Sequence, residues 1–180
     1  MQYPSYVFAE TLRDGTAVTV RAAGANDGPK IRRAFLNLER DTVYTRFFDY
    51  KADVSDAELG RITGADFERA VALLVTIGAG EDEVVIGGAS YFVSDSIAAA
   101  GRSAELAFTV EEDFQSRGIG SLLMRHIIAI ARVKGLDRLE ADVLSRNRPM
   151  LSVFQRCGLP MAVQHEGDVI HVILSLPEAG

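Results

Sequence analysis

The chain has 180 residues, of which 48% are hydrophobic and 24% are charged, and its net charge at neutral pH is −6. This length and apolar content predict one domain, spanning residues 1–180, with a substantial core. The acidic balance argues against nucleic acid or an anionic membrane surface as a partner. The one cysteine, Cys157, excludes an intramolecular disulfide and a multi-cysteine zinc site.

The sequence shows no targeting or metal-binding pattern. Its first residues lack the basic patch and apolar run of a signal peptide, and no apolar segment approaches the ~20 residues that a membrane-spanning helix needs. We therefore expect a cytoplasmic protein that does not enter a membrane. No set of Asp, His and Cys residues has the spacing of metal ligands, so we also expect no bound metal.

The first part of the chain predicts a hairpin followed by helices. Val7–Leu12 and Ala17–Ala22 are β-prone segments on either side of a polar turn. Asn26 or Asp27 can cap a helix that begins near Pro29. A short helix is predicted over Asp41–Phe48, and Ser55 followed by Glu58 is the capping-box pattern of another helix.

The remainder predicts an antiparallel meander and then alternating strands and helices. The meander strands are Ala70–Ile77, Glu83–Ser94 and Ser103–Val110. After them we expect a long helix over Ile119–Lys134, a strand over Arg138–Leu144, a helix over Asn147–Arg156 and a closing strand pair, Met161–His165 and Asp168–Leu174.

Two glycines, Gly118 and Gly120, lie where the long helix begins. Glycine costs roughly 1 kcal/mol relative to alanine inside a helix, so some other factor must favour it here. Unpaired N–H groups at a helix N-terminus bind phosphate-like anions, and glycine lets the backbone approach a ligand. The segment Gln115–Gly120 therefore predicts a pyrophosphate-binding turn with Arg117 as a mobile charge at its rim; a tight strand-to-helix connection would explain the glycines as well.

Two common phosphate-binding motifs are excluded by spacing. A Walker A loop ends in Gly-Lys-Ser/Thr, but Gly120 is followed by Ser121 and Leu122. A dinucleotide-binding fingerprint needs a third glycine three positions after the second, where this chain has Leu123.

The pattern Gln/Arg-x-x-Gly-x-Gly/Ala between a strand and a helix resembles motif A of the GNAT acetyltransferases. Gln115, Gly118 and Gly120 match it in full, and Asn147 to Leu151 is similar to the family's segment at the next helix. The order of elements agrees over most of the chain. The segments LRDGTAVTVRAAGANDGPKIRRAF, YTRFF and SAELAFTV further resemble the acetyltransferase domain of bacterial protein-lysine acetyltransferases.

The resemblance implies an α/β, GNAT-like (acyl-CoA N-acyltransferase) fold: a single domain with a mixed, mostly antiparallel central sheet flanked by helices and splayed at the cofactor. It implies an N-acetyltransferase that moves the acetyl group of acetyl-CoA to a primary amine, on a protein lysine or a small molecule, by direct attack on the thioester. A noncatalytic acyl-CoA-binding regulatory module on the same fold is the alternative. The sequence does not fix the oligomeric state and is compatible with a homodimer.

The same resemblance assigns the cofactor-binding residues. The backbone N–H groups of the turn hold the pyrophosphate, the strand edge at Phe108 to Val110 pairs with the pantetheine arm, and an N–H near Phe108 or Thr109 donates to the thioester carbonyl. Asn147 hydrogen-bonds the arm from the other side. The residues assigned to this site are Phe108, Thr109, Val110, Gln115, Ser116, Arg117, Gly118, Ile119, Gly120, Asn147, Met150 and Phe154.

Glu105 is the predicted general base, because the protein-acetylating relatives carry a glutamate in this strand; a solvated strand residue is the alternative. Where many relatives have a tyrosine that protonates the leaving thiolate, this chain has Phe154, which packs against the cofactor or the core and cannot donate a proton. No acid is assigned, because a thiol of pKa about 8.5 can leave as thiolate or take a proton from water. Four aromatic residues could line an acceptor pocket or pack on the sheet: Tyr44, Phe47, Phe48 and Tyr50.

Overall fold

The structure is a computed structural model that describes residues 5–38, 54–95 and 101–177. Its strands are β1 (Val7–Thr11), β2 (Ala17–Ala22), β3 (Ala70–Ile77), β4 (Val84–Val93), β5 (Ser103–Val110), β6 (Arg138–Leu144), β7 (Met161–Glu166) and β8 (Val169–Ser175). Its helices are α1 (Gly28–Leu36), α2 (Asp56–Thr63), α3 (Ile119–Val133) and α4 (Arg148–Arg156). Short 3-10 turns lie at Gly80–Asp82 and Glu112–Phe114.

Most predicted elements are confirmed. Four strands, β2, β3, β5 and β6, have the bounds that the sequence predicted. The helix predicted from Asn147 begins one residue later, because Asn147 is its N-cap. The helix predicted over Asp41–Phe48, and with it Tyr44, Phe47, Phe48 and Tyr50, lies outside the described residues.

The eight strands form one sheet in the order β1-β2-β3-β4-β5-β6-β8-β7. Within this sheet only β5 and β6 run parallel to each other, and every other pair of neighbours is antiparallel. The prediction of a mixed, mostly antiparallel sheet flanked by helices is therefore confirmed.

The sheet carries helices on both faces. The main core joins α3 and α4 to one face, where Leu106 of β5 packs in the same cluster as Leu123 and Phe154. A smaller cluster on the other face holds Leu74 of β3 and Ile31 of α1. Because side chains alternate along a strand, Glu105 lies on the face of α1 and α2.

The capping prediction for α2 is confirmed, and that for α1 needs a correction. The hydroxyl of Ser55 accepts from the N–H of Glu58, and the Glu58 carboxylate accepts from the N–H of Ser55. Asp27 stands at the N-cap position of α1 but makes no side-chain cap bond. Its carboxylate accepts instead from both Nη atoms of Arg21, at 2.8 and 2.7 Å, because a guanidinium is the stronger donor.

His126 anchors the edge strand β1 to α3. Its Nδ1 lies 2.7 Å from the hydroxyl of Tyr6, and its Nε2 lies 3.0 Å from a carboxylate oxygen of Glu10. Burial lowers the pKa of His126, and hydrogen bonding to Glu10 opposes that effect. In the described ranges no helix is both long and apolar enough to span a membrane.

Candidate active site

The sheet splits between β5 and β6. Their parallel pairing runs from Ser103 opposite Arg138 to Glu105 opposite Glu140 and then stops, although β5 continues to Val110. Beyond Glu105 the two strands diverge, and a cleft of about 760 Å³ opens between them and the N-terminal ends of α3 and α4. The predicted site residues that line this cleft are Glu105, Phe108, Thr109, Val110, Gln115, Ser116, Gly118, Ile119, Gly120, Asn147, Met150 and Phe154.

The backbone of β5 presents alternate residues to the cleft. The N–H of Glu111 donates to the carbonyl of Ile86 in β4 at 3.0 Å, and the carbonyl of Ser103 accepts from the N–H of Ser94. The backbone N–H and C=O groups of the odd-numbered residues of β5 therefore point toward β4. The N–H groups of Phe108 and Val110 therefore point into the cleft. Of the two predicted donors to a thioester carbonyl, the register favours Phe108 and turns the N–H of Thr109 away.

The turn before α3 has the backbone of an anion site. Ser116 and Gly118 both have left-handed backbone angles, with φ of 62° and 92°. Leu122 donates to the carbonyl of Gly118, so the N–H groups of the first helical residues before it have no acceptor within the helix. The side-chain amide of Gln115 donates to the carbonyl of Val110 at 3.0 Å and ties the turn to the end of β5.

Arg117, predicted as a mobile charge at the rim of the turn, contacts Asp14 and Phe114 in the structure. Its Nη1 lies 3.1 Å from Oδ2 of Asp14 in the β1–β2 turn, and its guanidinium carbon lies 4.9 Å from the ring centroid of Phe114. Of all the residues assigned to the cofactor from sequence, it alone is not part of the cleft lining.

Three other arginines line the cleft: Arg13, Arg146 and Arg156. Their three positive charges outnumber the two acidic side chains of the lining, Glu105 and Asp142, which suits a ligand that carries phosphates. Arg13 comes from the β1–β2 turn and lies so close to Gly118 that a Cβ built there would be 3.1 Å from its Nε. No local sequence pattern could have linked Arg13 to a turn about a hundred residues further along the chain. For Arg146, the sequence signal that could have identified it is its position next to Asn147.

Asn147 has a structural role that limits its predicted one. Its Oδ1 accepts from the N–H of Met150 at 3.2 Å and caps α4. Hydrogen bonding to a pantetheine arm is left to its Nδ2 donors and to the second lone pair of Oδ1.

Phe154 forms part of the cleft wall and of the core beneath it. Its side chain is 1% exposed and packs edge-on against Phe108, with ring centroids 5.9 Å apart and an interplanar angle of 74°. This aromatic pair fixes the position of the β5 edge against α4.

Glu105 lies at the point where β5 and β6 part. Its side chain is exposed and is flanked by Phe92 of β4 and Glu140 of β6 at the same level of the sheet. Glu105, the one acidic residue of β5, therefore lies at the vertex of the cleft, the point where β5 and β6 begin to diverge.

A second cavity of about 200 Å³ lies on the face of α1 and α2, with mostly apolar walls that include Ile31, Phe35 and Ile62. Two residues of β5, Ala107 and Thr109, line both this cavity and the cleft. The two spaces therefore meet at β5, one on each side of the sheet. Among the described residues, no group of three or more His, Cys, Asp or Glu side chains could hold a metal ion.

The sequence profile of the Acetyltransferase (GNAT) family matches residues 33–159. This chain belongs to the GNAT acetyltransferase family. This match over most of the chain, together with acetyltransferase relatives, makes it an N-acetyltransferase.

Comparison with known proteins supports the GNAT assignment along the whole chain. The crystal structure of the GNAT domain of S. lividans PAT is similar at a TM-score of 0.86 and 30% identity, covering 97% of this chain and 99% of that one. Acetyltransferase PA5475 of Pseudomonas aeruginosa is 26% identical over 168 residues, which are 91% of this chain and 87% of the relative. The predicted resemblance to the acetyltransferase domain of bacterial protein-lysine acetyltransferases is thereby confirmed.

The fold is shared with a structure of lower sequence identity, an acetyltransferase by its description. yncA of Salmonella typhimurium, solved with acetyl-CoA, has a TM-score of 0.70 at 20% identity, covering 91% of this chain and 96% of that one. The predicted GNAT-like fold is confirmed.

Proposed function

We propose that this GNAT acetyltransferase transfers the acetyl group of acetyl-CoA to a primary amine by direct attack of the amine on the thioester. The observation that carries the proposal is the split between β5 and β6 beyond Glu105. The split exposes backbone groups of β5 to a cleft that ends at the open N-terminus of α3.

The cleft suits the two chemically different parts of acetyl-CoA. The N–H groups at the start of α3 and the side chains of Arg13, Arg146 and Arg156 provide donors and positive charge for the phosphates. The amide groups of the pantetheine arm pair with the free edge of β5 as another strand would. At the vertex, the N–H of Phe108 donates to the thioester oxygen and stabilises the oxyanion that forms on attack.

The amine reaches the thioester from the opposite face of the sheet. The 200 Å³ cavity against α1 and α2 meets the cleft at Ala107 and Thr109, beside the strand residue that holds the thioester. Its apolar walls suit the aliphatic part of an amine such as a lysine side chain.

Glu105 acts as the general base. A lysine-like amine has a pKa near 10.4 and arrives mostly protonated. The carboxylate of Glu105 attracts the ammonium and takes its proton, directly or through one water, as the nitrogen attacks. The tetrahedral intermediate then collapses, the C–S bond breaks, and coenzyme A leaves as thiolate or takes a proton from water.

The acceptor is a primary amine on a protein lysine or on a small molecule. The test is a screen of small amines and basic proteins for acetyl-CoA-dependent release of free thiol. We expect saturable thiol release with one class of acceptor. Tight binding of acetyl-CoA without release above hydrolysis for any amine would contradict the proposal. The cytoplasmic location remains a prediction, which cell fractionation would test. Light scattering would establish whether the protein is a monomer or a homodimer.

A further inference from the structure

A chain of charged side chains lies on β6 and β8, on the same sheet face as Glu105. Nε of Arg138 donates to Oε1 of Glu140 at 2.5 Å, and Oε2 of Glu140 lies 3.1 Å from Nε2 of His171. The other ring nitrogen of His171, Nδ1, lies 2.7 Å from Oδ1 of Asp142. None of these four residues was singled out by the sequence as part of the site.

The contacts of His171 favour its charged form. Each ring nitrogen faces a carboxylate oxygen, and only the imidazolium carries a proton on both nitrogens. Hydrogen bonding to Asp142 raises the pKa of His171, with smaller support from Glu140, while desolvation acts against it.

The register of the sheet brings this chain to Glu105. Glu105 pairs with Glu140 at the last level where β5 and β6 lie side by side, about 4.8 Å apart. Their preceding residues, Ala104 and Leu139, are both buried in the core on the other face. The two glutamates therefore project from the same face on adjacent strands.

Two carboxylates at one level of neighbouring strands repel each other, which destabilises the sheet unless the charge is offset. Glu140 is the partner that is fixed, because Arg138 holds one of its oxygens and His171 the other. Its side chain is 22% exposed, whereas Glu105 is exposed to solvent at the mouth of the split.

We propose that Glu140 and His171 are positioning residues that tune Glu105, Glu140 through its fixed negative charge and His171 by holding Glu140 and offsetting that charge. The proposal rests on the proposed function, in which Glu105 is the base. Neither Glu140 nor His171 touches the reacting atoms in this account.

Within residues 5–38, 54–95 and 101–177, other groups also lie near Glu105. From β4 it faces Phe92, over whose ring the guanidinium of Arg61 in α2 stacks at 4.1 Å. β7 places the uncharged Gln164 beside His171. With His171 charged, the four residues on β6 and β8 carry no net charge, and with His171 neutral they carry one negative charge.

We expect two variants to shift the titration of Glu105 in opposite directions. Glu140→Gln removes a negative charge, which favours ionised Glu105 and moves its titration to lower pH. His171→Gln removes a positive charge and moves the titration to higher pH. Because the charges are near the surface, where water screens them, we expect a shift of about 0.5 to 1 pH unit for Glu140→Gln. For His171→Gln, whose charge lies two strands away from Glu105, we expect about 0.3 unit.

The experiment follows Glu105 itself. The carboxyl carbon of Glu105 is titrated by NMR in the full chain labelled with ¹³C-glutamate, with the signal assigned by its loss in Glu105→Gln. The acidic limb of kcat/KM is recorded for the same variants. Glu166→Gln, at the end of β7, is the control for a change of net charge alone. Thermal unfolding checks that each variant is folded, and His171→Asn replaces His171→Gln if that variant does not fold.

Opposite shifts in Glu140→Gln and His171→Gln, with none in Glu166→Gln, are the expected result. Shifts of the same sign, or below about 0.2 unit in folded variants, would overturn the inference. A failure of the proposed function looks different: Glu105→Gln would then keep full turnover, while the NMR shifts, which do not depend on activity, would still be seen.

Discussion

Gly120 at the start of α3 faces Val153 of α4 so closely that a Cβ on the glycine would lie 3.1 Å from Cγ2 of the valine. Any side chain at position 120 would therefore point toward α4. Because glycine has no side chain, the first turns of α3 and α4 can lie close together and border the same cleft. Gly120→Val should push α3 and α4 apart and weaken acetyl-CoA binding strongly. Titration calorimetry measures this effect.

Gly60→Ala in α2 is the control for Gly120→Val, because a Cβ at position 60 meets nothing within 4 Å. That variant should keep its acetyl-CoA affinity. Unchanged affinity in Gly120→Val would remove the turn before α3 from the binding site.

Arg13→Gln should weaken acetyl-CoA binding several-fold, because the arginine lines the cleft beside Gly118 and provides charge for the phosphates. The loss should be smaller at high salt, which screens the interaction in the parent protein. Arg33→Gln, on the exposed side of α1, is the matched control. Equal affinities of the Arg13 and Arg33 variants at low salt would show that Arg13 does not contact the cofactor.

Phe154→Ala should destabilise the protein by about 3–5 kcal/mol, because it removes a buried ring that packs on Phe108. The pH dependence of turnover should keep its shape, since phenylalanine has no proton to give. Urea unfolding and a pH–rate profile measure the two effects. A profile that loses one limb while acetyl-CoA still binds would contradict the packing role.

Glu83→Gln tests the ion pairs that fix α1 to the sheet. Glu83 accepts from Arg21 at 2.8 Å and from Lys30 at 2.6 Å, and hydrogen bonding to Arg21, despite the cost of burial, lowers its pKa from 4.5 to about 2. A carboxylate whose pKa is lowered by folding stabilises the native state above its unfolded pKa and loses that contribution as the pH falls toward its folded pKa. Glu83→Gln should cost about 1–3 kcal/mol at pH 7, and the difference should narrow between pH 4.5 and about 2.

Thermal unfolding across that pH range compares the parent protein with Glu83→Gln. Asp56→Asn removes a carboxylate whose side chain is 97% exposed and should change little. A gap between parent and Glu83→Gln that stays constant down to about pH 2 would contradict the assigned pKa.

The sequence predicted the strands and the turn before α3 because their signals are local. Alternating β-prone residues gave β2 and β5 their bounds, and the spacing of Gly118 and Gly120 identified the turn. The parallel register of β5 and β6 depends on residues more than thirty positions apart, so the vertex at Glu105 and its neighbour Glu140 could not be read from the chain. Arg13 reaches the cleft only because the β1–β2 turn packs on Arg117, a contact between distant segments.

The central claim is that Glu105 takes the proton of the attacking amine, and Glu105→Gln tests it because the change keeps the size of the side chain but removes the proton acceptor. Acetyl-CoA should still bind, and turnover should fall by ~10²–10⁴-fold at neutral pH. The decisive measurement is the turnover ratio of parent to Glu105→Gln from about pH 6.5 to 9.5 with saturating acceptor, a range that approaches the amine pKa. We predict a large ratio that shrinks as pH rises, because more of the amine is then already neutral; a ratio near one throughout, or a large ratio that does not change with pH, would contradict the assignment of Glu105 as the base.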